Sequence, residues 1–249
     1  MALNLVLNFS RMNIVISGYG RMGHEVEKVA LERKHKIVAI IDNKNDWQDK
    51  IDTIKNADVI IDFSFPETAV DNFRRCFEIG IPLVSGTTGW YDKMHEVKDF
   101  CTKNNASFFY AHNFSIGVNI FFEANKKLAK MIASVGGYSP SMEETHHIHK
   151  LDSPSGTAIR LAEDIIKEFE GIEKWKNDLN INKNELSIIS KREGEITGEH
   201  MITYQSDVDE ITISHSAKNR KGFALGAVVA AEFLLGKKGI FTISDLLKV

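Results

Sequence analysis

The sequence predicts an α/β protein, a doubly wound parallel sheet into which an α+β domain is inserted. Three observations predict it. A glycine-rich turn, Gly18-Tyr19-Gly20-Arg21-Met22-Gly23, follows a β-branched run and opens a helical pattern. Strand-like apolar runs then alternate with helical segments of about ten to fifteen residues as far as Ala111, the rhythm of βαβ units. From Leu186 onward short strands alternate polar and apolar residues with few helices between them, the mark of an open sheet.

Asn13-Ile14-Val15-Ile16-Ser17 is the first strand, because β-branched residues suit a pleated, buried surface. Val26, Val29, Ala30 and Leu31 then give the helix after the turn an apolar stripe. Lys36 to Ile41 forms the second strand and ends in Asp42, about twenty residues past the turn, where a Rossmann-like fold places the carboxylate that holds ribose hydroxyls. The glycines make the tight turn and admit a pyrophosphate, so Gly18, Tyr19, Gly20, Arg21, Met22, Gly23 and Asp42 are expected to bind a nicotinamide dinucleotide. Asp42 repels a ribose phosphate, which favours NADH; Lys44 softens that preference towards NADPH.

Ala57 to Ser64 continues the sheet, Glu67 to Glu78 is a helix ended by Gly80, and Ile81 to Ser85 is a strand running into Gly86-Thr87-Thr88-Gly89. Tyr91 to Asn104 is a helix and Ser107 to Ala111 a strand. Ligands of such sheets lie beyond the carboxyl ends of the strands. Ser64, Gly86, Thr87, Thr88, Ala111, His112, Asn113 and Phe114 are therefore placed on the cofactor side.

The second half changes character. Ile116 to Ser134 is a long helix broken by Gly136-Gly137, and Tyr138 to Glu144 leads into a histidine-rich segment. A helix follows from Ser153 to near Gly171, then a polar, exposed loop over Ile172 to Glu185. Leu186 to Lys191, His200 to Ser206 and Glu210 to Ser216 are strands, and Phe223 to Leu235 is an apolar helix that returns to the first domain. Residues 1-114 and 220-249 thus form a dinucleotide-binding domain, and residues 115-219 a substrate-binding and oligomerisation domain whose open sheet invites a partner subunit.

The segment Glu143-Glu144-Thr145-His146-His147-Ile148-His149-Lys150-Leu151-Asp152-Ser153-Pro154-Ser155-Gly156-Thr157 holds the chemistry. Ser153 is a good N-cap and Pro154 a good first helical residue, which would leave the amides of Ser155, Gly156 and Thr157 as donors for a carboxylate or phosphate. His146 and Lys150, four residues apart, share a face in either a strand or a helix. One moves protons near neutral pH, and the other donates a proton or fixes a positive charge. The alternative, a solvated row of histidines, gives no reason for the capped turn beside them. Zinc ligation by His146, His147 and His149 is opposed by the charge of Lys150, so no metal is expected.

Net charge is −3 with acids and bases interspersed, so neither nucleic acid nor a membrane surface finds an electrostatic footprint. Cys76 and Cys101 have no paired spacing and suit a reducing compartment. Met1 to Arg11 lacks a basic start and is too short for a signal peptide or a membrane span; it reads as a loose extension, with Met12 an alternative start.

The run from Glu144 to Ala158 closely resembles the signature of the dihydrodipicolinate (4-hydroxy-tetrahydrodipicolinate) reductase family. The likeness extends over Gly18 to Gly23, Gly86 to Gly89, Asn113 to Asn119, Arg192, Gly194, Gly198-Glu199-His200, Glu210, Ile213, His215 and Arg220 to Ala227. It implies a cytoplasmic, homotetrameric enzyme of the diaminopimelate route to lysine, using NADH or NADPH on a small dicarboxylate. It also implies His146 as proton donor or acceptor, Lys150 as second proton donor, and substrate contacts at His147, Gly156 and Thr157. Cofactor contacts fall at Gly18 to Gly23, Asp42, Gly86 to Thr88 and Ala111 to Phe114. Three features depart from the family: the glycine turn lacks an extra glycine, Ser153 replaces alanine, and His112 is unfamiliar beside the nicotinamide. In an ideal strand His147 would also face away from His146 and Lys150, so an irregular segment is expected there.

Overall fold

The computed structural model describes residues 10–179 and 181–249; most of the expected N-terminal extension, residues 1–9, lies outside the described residues. In chain order the elements are β1 (Asn13–Ser17), α1 (Arg21–Glu32), β2 (Lys36–Ile41), α2 (Asp46–Asp49), α3 (Ile51–Lys55), β3 (Val59–Asp62), α4 (Pro66–Ile79) and β4 (Leu83–Ser85). Then come α5 (Met94–Lys103), β5 (Ser107–Tyr110), α6 (Ile116–Val135), β6 (Ser139–His146), α7 (Gly156–Ile166), β7 (Lys174–Lys176) and β8 (Glu185–Arg192). The last are β9 (Glu199–Gln205), β10 (Glu210–Ser216), α8 (Lys221–Leu234), β11 (Gly239–Phe241) and α9 (Ile243–Leu247). The chain divides into two units, residues 1–116 with 221–249, and residues 117–220.

The first unit is a parallel six-stranded sheet in the order β11-β5-β4-β3-β1-β2. Its inner strands are buried on both sides, and period two sends alternate residues into opposite layers. Ile14, Ile16, Val59 and Ile61 meet α1 and α8, whereas Val15 and Ile60 meet Trp47, Phe73 and Phe77. After β1 the chain moves to β2 on one side, and β3 lies on the other. The carboxyl ends of β1 and β3 therefore form the switch point, where an open α/β sheet binds its ligand.

Helix α8 is apolar because Ala224, Ala227, Val228, Ala231 and Leu234 are all buried in this unit, as its sequence predicts. Its one buried acid, Glu232, accepts two hydrogen bonds from Arg33 at 2.7 Å each and lies 2.8 Å from His35 Nε2. His35 Nδ1 in turn accepts from the Met12 amide at 3.2 Å, which assigns the ring proton to Nε2. Strand β11 and helix α9, beyond Gly236, have too short a pattern to be read from sequence.

The second unit is a mixed sheet, β10-β9-β6-β8-β7, with β6 parallel to β8 and antiparallel to β9. One face is covered: Phe121, Phe122 and Ile132 of α6 and Leu161 and Ile165 of α7 pack on Met142, Ile188, Ile202 and Tyr204. Strand β7 pairs with β8 inside a segment expected to be loop throughout. The Tyr91 to Asn104 helix begins at Met94, after a single 3-10 turn.

The N-terminus of α7 also corrects the sequence expectation. Its N-cap is Ser155, not Ser153: Ser155 has extended backbone (φ −66, ψ 152) and its hydroxyl accepts from the Ala158 amide at 3.2 Å. Ser153 is exposed and accepts instead from Asn177 at 3.1 Å.

Candidate active site

In the first unit the glycine turn opens α1 with Gly20 as N-cap, no side-chain cap and no acid in the first turn. A helix start of this kind leaves amide donors and a positive dipole end for an anion. A cavity of about 520 Å³ lies there, lined by Gly18 to Met22, Asp42, Phe63 to Pro66 and Gly86 to Thr88. Side chains at Gly18 and Gly23 would collide with the Phe63 and Gly18 carbonyls, whereas Gly20 faces open space, so the turn is tight and one side of it stays free for a ligand's backbone approach. Asp42 Oδ1 accepts from the Tyr19 amide at 3.0 Å, which ties the turn to the end of β2. An adjoining cavity of about 200 Å³ is lined by Asp42, Lys44, Trp47 and Arg75 among others. These residues fit a pyridine dinucleotide: amides for the diphosphate, a carboxylate for a ribose, and an apolar wall beside them.

Beneath this crevice Asp62 is fully buried at the end of β3. Its carboxylate accepts from Ser17 Oγ at 2.7 Å, Thr87 Oγ1 at 2.7 Å and Ser85 Oγ at 3.3 Å. With its hydrogen spent on Asp62, Thr87 Oγ1 accepts from the Ser64 amide at 2.9 Å. One acid thus fixes both loops that line the cavity. Burial raises the Asp62 carboxyl, and the hydroxyl donors oppose that shift. Ala111, His112, Asn113 and Phe114 lie at the end of β5 but line neither cavity; His112 stacks on Tyr91 with ring centroids 3.9 Å apart, and Phe114 packs edge-on against Phe63.

In the second unit, period two puts Met142, Glu144 and His146 on the helix-covered face of β6, so this face changes from apolar to charged at its end. Register places His200 of β9 opposite Glu144 and Arg192 of β8 opposite His146. Glu144 Oε1 accepts from Arg192 Nη2 at 3.1 Å and from the Ser155 amide at 3.2 Å. Its Oε2 lies 2.5 Å from His146 Nδ1, off the axis of a well-directed hydrogen bond. Burial raises the Glu144 carboxyl, but His146, Ser190 and Arg192 outweigh it and hold the group far below the usual carboxylate range. His200 Nε2 is 3.1 Å from Ser155 Oγ, and burial, followed by the nearby His146, pushes its pKa down to about 4.

Strand β6 ends at His146, and residues 147–150 form the expected irregular segment, a turn closed by the Lys150 amide on the His147 carbonyl at 3.1 Å. The shared-face argument for His146 and Lys150 therefore does not apply. Both still act electrostatically on His200, His146 the more strongly. Lys150 Nζ is held by both oxygens of Asp152 at 2.7 and 2.8 Å. His147 Nδ1 is buried with no hydrogen-bond partner among the described residues. The Ser155 amide, expected to be a free donor, is taken by Glu144, so of the three expected amide donors Gly156 and Thr157 remain as candidates. His149 turns outward to Glu195 at 3.1 Å.

Sequence reasoning assigned no role to Glu144, Arg192 or His200. The available signal was the alternation through Met142, Glu144 and His146, which buries an acid beside the histidine. Glu144, His146 and His200 bring ligand-type atoms within 4.8 Å of one another. The carboxylate, however, already carries Arg192, so the protein itself supplies the positive charge a cation would bring.

The comparisons match this architecture along the chain. The family models "Dihydrodipicolinate reductase, N-terminus" and "Dihydrodipicolinate reductase, C-terminus" match residues 12–114 and 117–247. A 4-hydroxy-tetrahydrodipicolinate reductase of Christiangramia forsetii is 49% identical over 95% of this chain and 98% of its own length. One of Archaeoglobus fulgidus is 34% identical over 95% of this chain and all of its own. In fold, the chain resembles a dipicolinate-bound dihydrodipicolinate reductase from Paenisporosarcina sp. TG-14, with a TM-score of 0.78, 21% identity, and 94% and 98% of the two chains covered.

Proposed function

The chain belongs to the dihydrodipicolinate reductase family, and from that premise we infer that it reduces 4-hydroxy-tetrahydrodipicolinate to tetrahydrodipicolinate and water, in the diaminopimelate route to lysine. It is a pyridine-nucleotide-dependent oxidoreductase. The observation that supports the residue assignment best is the buried Glu144 carboxylate. It sits between His146 and the first turn of α7, so a proton-transfer group and an anion site share one support.

The substrate carries two carboxylates. Gly156 and Thr157, at the uncapped side of the α7 N-terminus, donate amides to one of them. His147 and Lys150 offset the charge of the other. A bound nucleotide supplies the hydride that reduces the ring. Water leaves first: His146 takes a proton from the ring carbon beside the one that bears the hydroxyl, and Lys150 protonates the hydroxyl, which departs as water; once the carbon that bore it is reduced, His146 returns its proton to the neighbouring carbon. Ser155 supports the site through Glu144 and His200 rather than by its own amide.

The first unit binds the nucleotide, through Gly18 to Gly23, Asp42, Gly86 to Thr88 and the end of β5 at Ala111 to Phe114. Asp42 favours NADH, and Lys44 and Arg75 beside it admit NADPH as the second choice. The second unit binds substrate and uses the open face of its sheet to assemble a homotetramer. Two free, buried cysteines suit a cytoplasmic enzyme. No helix among the described residues is long and apolar enough to cross a membrane.

The test is NADH oxidation with substrate formed in situ from pyruvate and aspartate semialdehyde by the upstream synthase. Substrate-dependent loss of the nicotinamide absorbance is expected. Its absence in protein that binds NADH would overturn the assignment.

A further inference from the structure

Glu144 is 1% exposed, and a buried acid is costly unless every charge around it is arranged to hold it. The groups that face it come from four places: His146 from β6, Arg192 and Ser190 from β8, His200 from β9, and the Ser155 amide from the start of α7. Lys150 and His215 act on the same cluster through His200. Two rival partners for His146 are otherwise engaged. His200 spends Nε2 on Ser155 Oγ and meets the His146 ring edge-on with centroids 5.2 Å apart. Asp152 is paired with Lys150.

The far side of the His146 ring is equally defined. A Cβ at residue 198 would lie 2.9 Å from His146 Nε2, so Gly198 leaves the approach to that nitrogen clear. The ring thus has Nδ1 turned to an acid and Nε2 turned to a residue without a side chain.

We propose that Glu144 is a positioning residue for the proton donor: its carboxylate, clamped by Arg192 and the Ser155 amide, holds His146 with the Nδ1 proton inward, so that Nε2 alone exchanges protons with substrate. The proposal rests on the reductase reading above. A carboxylate behind an imidazole sets the tautomer and the ring orientation without itself changing protonation. Catalytic contacts of this kind tighten when substrate binds, which accommodates the off-axis approach at 2.5 Å. Because the same carboxylate accepts the Ser155 amide, the acid and the anion-binding turn are held in one register.

The test is a double-mutant cycle on the full chain with saturating NADH and substrate. Glu144→Gln, close in shape, is expected to lower kcat about 10- to 100-fold with the KM for NADH unchanged. In a His146→Gln background the same change is expected to cost less than about threefold, because residues that act as a unit are not additive. Glu144→Asp, which keeps the charge, is expected to recover part of the loss and serves in place of Glu144→Gln if that variant fails to fold. Additive losses, a Glu144→Gln variant within about twofold of the parent, or a Glu144→Asp variant no better than Glu144→Gln would each overturn the proposal. If the parent protein shows no reductase activity, the reaction reading fails and the proposal is read separately from side-chain ¹⁵N shifts of His146. A proton on Nδ1 in the parent and its redistribution in Glu144→Gln support it; identical shifts in the two overturn it.

Discussion

His200 Nε2 lies 3.1 Å from Ser155 Oγ, the hydroxyl that caps α7, so an imidazole on β9 helps to seat the start of that helix. Burial keeps His200 uncharged in the neutral range.

Stability should therefore depend on pH through this one group. The unfolded chain takes up a proton on His200 near its ordinary value of 6.5, and the folded chain only near 4. Between those limits the unfolded state binds more protons, so the contribution is complete above pH 6.5 and is lost as the pH falls towards 4. The full extent is about 3 kcal/mol. Urea unfolding of the parent protein and of His200→Gln at several pH values should show a shallower acid slope in the variant; equal slopes would remove His200 from the account.

His146→Gln and Lys150→Ala should each reduce kcat by roughly 10²- to 10⁴-fold, the usual worth of a positioned acid. Neither residue lines the two cavities proposed to hold the nucleotide, so the dissociation constant for NADH, measured by fluorescence titration, should barely change. A Lys150→Ala enzyme that turned over normally would return Lys150 to a purely structural pairing with Asp152.

Gly198→Ala places a methyl carbon 2.9 Å from His146 Nε2. The expected outcome is a fall in kcat of at least about tenfold, as a small misplacement of a catalytic group commonly produces. Thermal unfolding of the variant separates a blocked proton path from general loss of fold.

Asp42→Ala removes the carboxylate that accepts from the Tyr19 amide and is proposed to hold the adenosine ribose. NADH should bind about tenfold more weakly, the worth of one good hydrogen bond to a charged group. NADPH should lose less, since Lys44 and Arg75 remain, and the ratio of kcat/KM for the two nucleotides reports the shift. An unchanged ratio would mean that Asp42 only braces the turn.

Much of this was legible in the sequence where a local signal existed. β-Branched runs, the glycine turn and the helical spacing of α1 and α4 each carry their own periodicity, and all reappear in the first sheet. Ser155 shows where local reasoning runs out. Both Ser153 and Ser155 are good caps by type, and the choice between them is made by Glu144 and His200, which lie on strands whose register no local pattern encodes. Arg192 and His200 were visible as polar residues near strand ends, but only the β8-β6-β9 pairing sets them around one carboxylate. Strands β7 and β11, three residues each, are too short to show a period and exist because a neighbour's edge is there to pair with.

The division of the chain also has a consequence for its birth on the ribosome. The unit of residues 117–220 is continuous, so all of its contacts are present before α8 is made. The six-stranded parallel sheet, by contrast, has waited since β5 for its last strand and for the buried face of α8. Its apolar layer stands uncovered until α8 has been made, and a polypeptide cut short before α8 would hold one complete unit and one incomplete one.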